Sequence, residues 1–96
     1  MGLEIIWTIR AEKGFENIVK YLEKNWTERE IKNFILEAQD FFELLKKSPK
    51  ILQRSSKKNL YRGPMNRFTI VSYKINPRKK QIILLNVRNT RQKPLN

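Results

Sequence analysis

The sequence predicts an α+β fold of order β-α-α-β-β-β, a helical hairpin packed on one face of a small, mainly antiparallel sheet. Three observations predict it: an alternating apolar run at the start, two consecutive stretches with a 3.6-residue apolar period, and three later runs of β-forming residues separated by turn signals. The 96 residues fit one domain, 1–96, whose polar basic tail begins at about residue 88.

The first strand rests on Leu3, Ile5, Trp7 and Ile9, which alternate with Glu4, Ile6 and Thr8. From Ala11 the apolar spacing becomes helical, through Ala11, Phe15, Ile18 and Leu22, with Val19 and Trp26 beside them and Asn25 near the end. Thr27-Glu28-Arg29-Glu30 reads as a capping box: the Thr27 hydroxyl accepts from the Glu30 amide, and the Glu30 carboxylate accepts from the Thr27 amide. A second helix starts there, with Ile31, Phe34, Ile35, Ala38, Phe41, Phe42 and Leu45 as its apolar stripe. Lys46 and Lys47 suit its C-terminal dipole, and Pro49 stops it.

Residues 48–59 are polar and basic and read as a loop. Strands follow at Leu60–Met65, Phe68–Ile75 and Gln81–Val87, with turns at Asn66-Arg67 and Asn76-Pro77-Arg78-Lys79. Ile82-Ile83-Leu84-Leu85 is apolar on both faces, so this strand should be central or covered on both sides. The helical hairpin covers one side; an external partner is a candidate for the other.

Composition excludes much chemistry. With no Cys there is no disulfide framework, thiol nucleophile or cysteine zinc site; with no His there is no imidazole base and no Ser-His-Asp triad. No cofactor and no metal site is expected. Glu37, Asp40 and Glu43, three residues apart on the second helix, lack a further ligand and read as a solvated face. No run approaches the roughly 20 apolar residues of a membrane span, and no basic n-region precedes an apolar stretch, so a cytoplasmic protein without a membrane partner is expected.

The net charge of +12 is unevenly placed. Residues 1–43 carry all nine acids and six bases, a balance of −3, whereas residues 44–96 carry fifteen bases and no acid. Those bases lack counter-ions within their own half and repel one another unless an anionic ligand or acidic partner relieves them.

The opening strand with Trp7, Tyr21-Leu22-Glu23-Lys24-Asn25-Trp26 leading into Phe34, Pro49, a three-strand meander with Tyr73, and the closing Arg91-Gln92-Lys93-Pro94 together resemble the RelE/ParE superfamily of bacterial type II toxins. The order and spacing of these pieces cover nearly the whole chain. The resemblance is nearest to the ParE-like branch often described as plasmid stabilisation proteins. It implies a toxin neutralised by a cognate antitoxin that wraps it with an acidic C-terminal segment. It further implies action on DNA gyrase or a gyrase–DNA complex by binding, without hydrolysis. The expected target and partner contacts are Arg62, Arg67, Tyr73, Arg88, Arg91, Gln92, Lys93 and Pro94. The family's usual Arg-Gln-Asn-Pro close has Lys93 in its Asn position here, and Arg88 and Asn89 stand where an aromatic and an Asp are frequent.

The alternative is a RelE-like ribosome-dependent mRNA interferase. Cleavage without His needs a base of lowered pKa for the 2′-hydroxyl and cations for the phosphate, for which Lys57, Lys58, Arg62, Arg67 and Arg91 are the candidates. Against it, aligning Tyr73 with the tyrosine of the RelE strand puts Ile70 at the catalytic arginine, and nothing after Tyr73 is aromatic. A generic nucleic-acid-binding module explains the charge but not the motif order. Among the aromatics, Trp7, Phe15, Phe34, Phe41 and Phe42 are expected in the core, with Trp26 at its edge. Tyr61, Phe68 and Tyr73 could stack on a base, with ordinary sheet packing the stronger expectation.

Overall fold

Thr8 is where the chain turns from strand to helix. Its hydroxyl accepts from the Ala11 amide at 3.1 Å, capping the helix, and donates to the Leu84 carbonyl at 2.7 Å, tying that cap to the sheet. The computed structural model describes residues 3–54, 60–66 and 68–90. The elements run β1 (Glu4–Trp7), α1 (Ile9–Asn25), α2 (Glu28–Lys47), β2 (Gln53–Arg54), β3 (Leu60–Asn66), β4 (Thr69–Asn76) and β5 (Gln81–Asn89). The expected order holds, with the two-residue β2 added inside the segment expected to be loop.

Because Thr8 caps α1, Ile9 is not the last inward residue of the first strand. It opens the helix and is 71% exposed. The predicted capping box at Thr27 is present, with both reciprocal bonds formed, at 3.3 Å from the Glu30 amide and 3.5 Å to the Glu30 carboxylate. Along α2, Phe34, Ala38, Phe41 and Leu45 are buried, while Ile35 lies at the margin of the stripe and is exposed.

The sheet is mixed, in the order β1-β5-β4-β3-β2. β1 pairs with β5 in parallel, Ile6 beside Ile83; β5, β4 and β3 form an antiparallel meander, and β2 borders β3 with Gln53 beside Arg62. The apolar run 82–85 therefore lies on an interior strand, as its composition requires. β5 continues through Asn89, and the Thr90 amide donates to the Phe68 carbonyl at 2.8 Å, so residues 88 and 89 belong to the sheet and not to a tail.

Both helices cover one face. Ala11, Ile18 and Leu22 of α1 and the buried residues of α2 meet Tyr61, Val71, Tyr73, Ile82, Leu84 and Val87. Through this layer runs an unbroken chain of aromatic rings, Phe41–Phe42–Trp7–Phe15–Phe34–Phe68–Trp26, with successive centroids 5.0–5.6 Å apart. Such contacts add about 0.5–1.5 kcal/mol per pair beyond area burial, which helps a thin core that a chain of this size can bury only in part. Trp26 is its half-buried end, packed edge-on to Phe68.

Candidate functional site

The face of the sheet turned away from the helices is assembled by strand register. Residues directly opposite one another on neighbouring strands share a face, with strands about 4.8 Å apart. One row across it is Ile6, Ile83, Lys74 and Leu60; the next holds Asn86, Ser72 and Arg62; a third holds Arg88, Ile70 and Pro64. Lys74, Arg62 and Arg88 are exposed, whereas Ile6, Ile83, Leu60 and Ile70 are half-buried. The result is an apolar floor carrying three cations, with Arg62 and Arg88 two strands apart, about 10 Å across the sheet.

A bulge makes this possible. Ser72 pairs with Asn86 but Tyr73 pairs with Leu84, leaving Leu85 without a partner on β4. Before the bulge the inward residues of β5 are Ile82 and Leu84; after it they are Val87 and Asn89. The extra residue reverses the phase, so Arg88 faces outward on the same side as Arg62. Without it, Arg88 would be driven toward the helices.

No carboxylate neutralises this group among the described residues. Eight of the nine acids are on α1 and α2, and the ninth, Glu4, is on the edge strand, in a row that lacks all three cations. The ion pair seen, Lys46 to Glu43 at 3.4 Å, is within α2. Three uncompensated cations on a partly apolar floor suit a ligand that offers both negative charge and apolar or planar surface.

Tyr73 does not belong to that face. It was expected among the partner contacts, but it lies on the helix-facing side of β4 and is fully buried. Its ring stacks on Tyr61, centroids 5.4 Å apart and planes 8° from parallel, and its hydroxyl donates to the Pro49 carbonyl. Burial pushes its pKa up to about 12; the neighbouring Leu52 backbone opposes this in part, and the nearby Tyr61 adds a smaller upward push. Tyr61 and Phe68 are also buried, so none of the three offers a free ring to a base.

Of the remaining expected contacts, Arg62 and Arg88 are brought onto one face. Lys57, Lys58, Arg67, Arg91, Gln92, Lys93 and Pro94 lie outside the described residues. Sequence reasoning missed Lys74, because its face follows from register: it is two residues from Ser72, which pairs with Arg62. The bulge left a trace in the 2-then-3 spacing of Ile82, Leu84 and Val87. Glu37, Asp40 and Glu43 are exposed on α2, and no group of three or more potential metal ligands occurs among the described residues. No helix among them is long and apolar enough to cross a membrane.

Comparison with known proteins agrees with this geometry. Residues 5–94 match the family described as the ParE toxin of the type II toxin-antitoxin system parDE. Among solved structures, the chain is similar to one from a chromosomal ParDE system of Pseudomonas aeruginosa, at 12% identity and a TM-score of 0.72 over 91% of this chain and 95% of that one. It is also similar to a chain of the RelBE2 toxin-antitoxin complex of Mycobacterium tuberculosis (13% identity, TM-score 0.62, covering 93% and 99%). A third similar chain comes from the archaeal RelE–RelB complex of Pyrococcus horikoshii (17%, 0.59, covering 97% and 100%). At these identities the structural likeness speaks for the fold. Comparison with curated proteins found no match.

Proposed function

Since the chain belongs to the ParE toxin family of type II toxin-antitoxin systems, we propose that it acts in the cytoplasm by binding DNA gyrase or a gyrase–DNA complex, and that a cognate antitoxin with an acidic C-terminal segment restrains it. The observation that carries this reading is the outward cationic group of Arg62, Lys74 and Arg88, which no carboxylate pairs with among the described residues. A protein that must engage a polyanionic complex needs cations held apart from its own acids, and here eight of the nine acids are on the helices. The restraining partner is supported by the relatives, several of which were solved as toxin-antitoxin complexes.

In this reading Arg62, Arg67, Arg88 and the segment Arg91-Gln92-Lys93-Pro94 make the contacts. No acid–base step is assigned, and two features favour binding over cleavage. Ile70 stands at the position of the RelE strand arginine, and the buried Tyr73 hydroxyl, which donates to the Pro49 carbonyl, is unavailable to a substrate.

Induction from a tightly repressed promoter tests the proposal. Filamentation with an induced DNA-damage response is the expected outcome, and Arg91→Ala is expected to weaken it while leaving the protein folded. An early halt in translation accompanied by cleaved mRNA would instead establish the interferase, with Lys57, Lys58, Arg62, Arg67 or Arg91 as its cations.

A further inference from the structure

The β4–β5 hairpin turns through Pro77-Arg78-Lys79-Lys80, a loop in which three consecutive residues are cations and every residue is exposed. Its backbone is held in place. The Lys79 amide donates to the Asn76 side-chain oxygen at 3.3 Å, the Lys80 amide donates to the Pro77 carbonyl at 3.4 Å, and the Pro77 ring fixes its own φ at the start of the turn. On the far side of the turn, the Lys80 carbonyl accepts from the Glu4 amide at 3.0 Å, which ties the tip to β1. Lys80 carries a positive φ of 54°, alone among the described non-glycine residues. Glycine or asparagine meets this left-handed conformation with the least strain. A lysine here forgoes that advantage and keeps a charge at the tip, and strain held at an exposed charged position points to a role in contact and not in folding.

The tip also lies in line with the outward cations. Lys74 stands two residues before Asn76, the last residue of β4, while Arg62 is level with Ser72 and Arg88 with Ile70. At about 3.3 Å per residue, the rows of Lys74, Arg62 and Arg88 lie about 7, 13 and 20 Å from the end of β4. Arg88, Arg62, Lys74 and the tip therefore follow one another along the strand direction. Glu4 shares a row with Gln81 and Asn76 beside the tip, yet it forms no ion pair with Arg78, Lys79 or Lys80 among the described residues.

We propose that the β4–β5 tip is a phosphate contact for duplex DNA, extending the cations of the outward face into a track of about 20 Å along β4. The proposal rests on the gyrase–DNA reading for the identity of the anion. Duplex DNA carries one phosphate per about 3.4 Å along each strand, so the track spans about six base pairs with the tip and about four without it. Contacts of this kind position a protein on the backbone and carry no sequence information.

Lys80→Asn removes the charge and suits the left-handed backbone, so it separates contact from folding. Lys20→Gln, exposed on α1, is its charge-matched control. Glu4→Gln is the reverse test, because it removes the acid beside the tip, with the exposed Glu16→Gln of α1 as control. Each full-length chain is melted thermally and titrated with short DNA duplexes of two unrelated sequences across a salt series. Lys80→Asn is expected to melt no lower than the parent, to bind both duplexes several-fold more weakly, and to lose about one unit from the slope of log affinity against log salt. Glu4→Gln should bind several-fold more tightly. The two α1 variants should stay within about twofold of the parent, since salt screens charges on the far layer. Undiminished binding by Lys80→Asn, equal losses in Lys80→Asn and Lys20→Gln, no DNA binding by the parent chain, or tighter binding of a single-stranded RNA than of the duplexes would overturn the proposal. A lowered melt in Lys80→Asn would overturn the assignment of this lysine to contact. Failure of the gyrase reading shows separately, as absence of a DNA-damage response on induction.

Discussion

Gly14 of α1 lies against the main chain of Val87 of β5 so closely that a Cβ placed on the glycine would stand 2.0 Å from the Val87 carbonyl oxygen. The obstacle is backbone, with no side chain to swing aside, so α1 and β5 approach as closely as they do because position 14 has no side chain. Inside a helix a glycine ordinarily costs up to about 1 kcal/mol relative to alanine; here the close packing offsets that cost. Gly14→Ala is therefore expected to destabilise by about 2–3 kcal/mol despite its better helix propensity, as overpacking forces α1 away from the sheet. Urea denaturation measures it, and a neutral or stabilising result would contradict the α1–β5 spacing.

The capping box makes a milder prediction. Thr27 and Glu30 are exposed, so their bonds contribute locally at the start of α2 and not through the core. Thr27→Ala should cost about 1 kcal/mol, while Thr27→Ser should restore most of it. Thermal melts of the three proteins are the check.

Arg62 and Arg88 face outward, away from the core, with no carboxylate opposite them. Replacing either by Ala should change stability by less than about 0.5 kcal/mol, while growth arrest should weaken for each. The double variant should be weaker than either single one and should show a shallower salt dependence in DNA binding. Loss of folding in either single variant would mean that the outward face is structural.

Tyr73 gives the fold a dependence on alkaline pH. Its pKa is raised to about 12 in the folded protein from 10.0, so the neutral phenol is the form that the fold favours. That contribution is complete below pH 10 and is lost as pH rises toward 12, where folding must give up about 2–3 kcal/mol. Denaturant titrations of the parent chain and Tyr73→Phe across this window should converge as the parent's advantage disappears. Parallel curves would show that the hydroxyl does not titrate with unfolding.

Much of this architecture was readable from residues whose local chemistry points one way. The Thr27 capping box, the helical stripe through Phe34 and Leu45, and the doubly apolar run 82–85 each combine a short-range signal with the burial that the fold requires. Ile9 misled because its alternation with Trp7 continued past Thr8, whose capping hydroxyl overrides strand periodicity. Tyr73 misled because a tyrosine among basic strands offers both a ring and a hydroxyl, and only register shows that β4 turns it inward. The shared face of Arg62, Lys74 and Arg88 depends on an unpaired Leu85, a feature of strand pairing between residues distant in sequence. β2 depends in the same way on its pairing with Tyr61 and Arg62 of β3, which no local propensity announces.

Eight of the nine acids lie on the helices, where eight bases balance them, and this uneven distribution has a kinetic consequence. A neutral helical layer against a cationic sheet gives the molecule an electric dipole across its thickness, in addition to its net charge. Near a polyanion such a molecule experiences a torque that turns the sheet toward the target before any contact forms, so encounters are pre-aligned and fewer are wasted. Moving two or three acids from the helices to the sheet would keep the charge at +12 and preserve bulk attraction, yet it should slow association, because the approach would no longer be oriented.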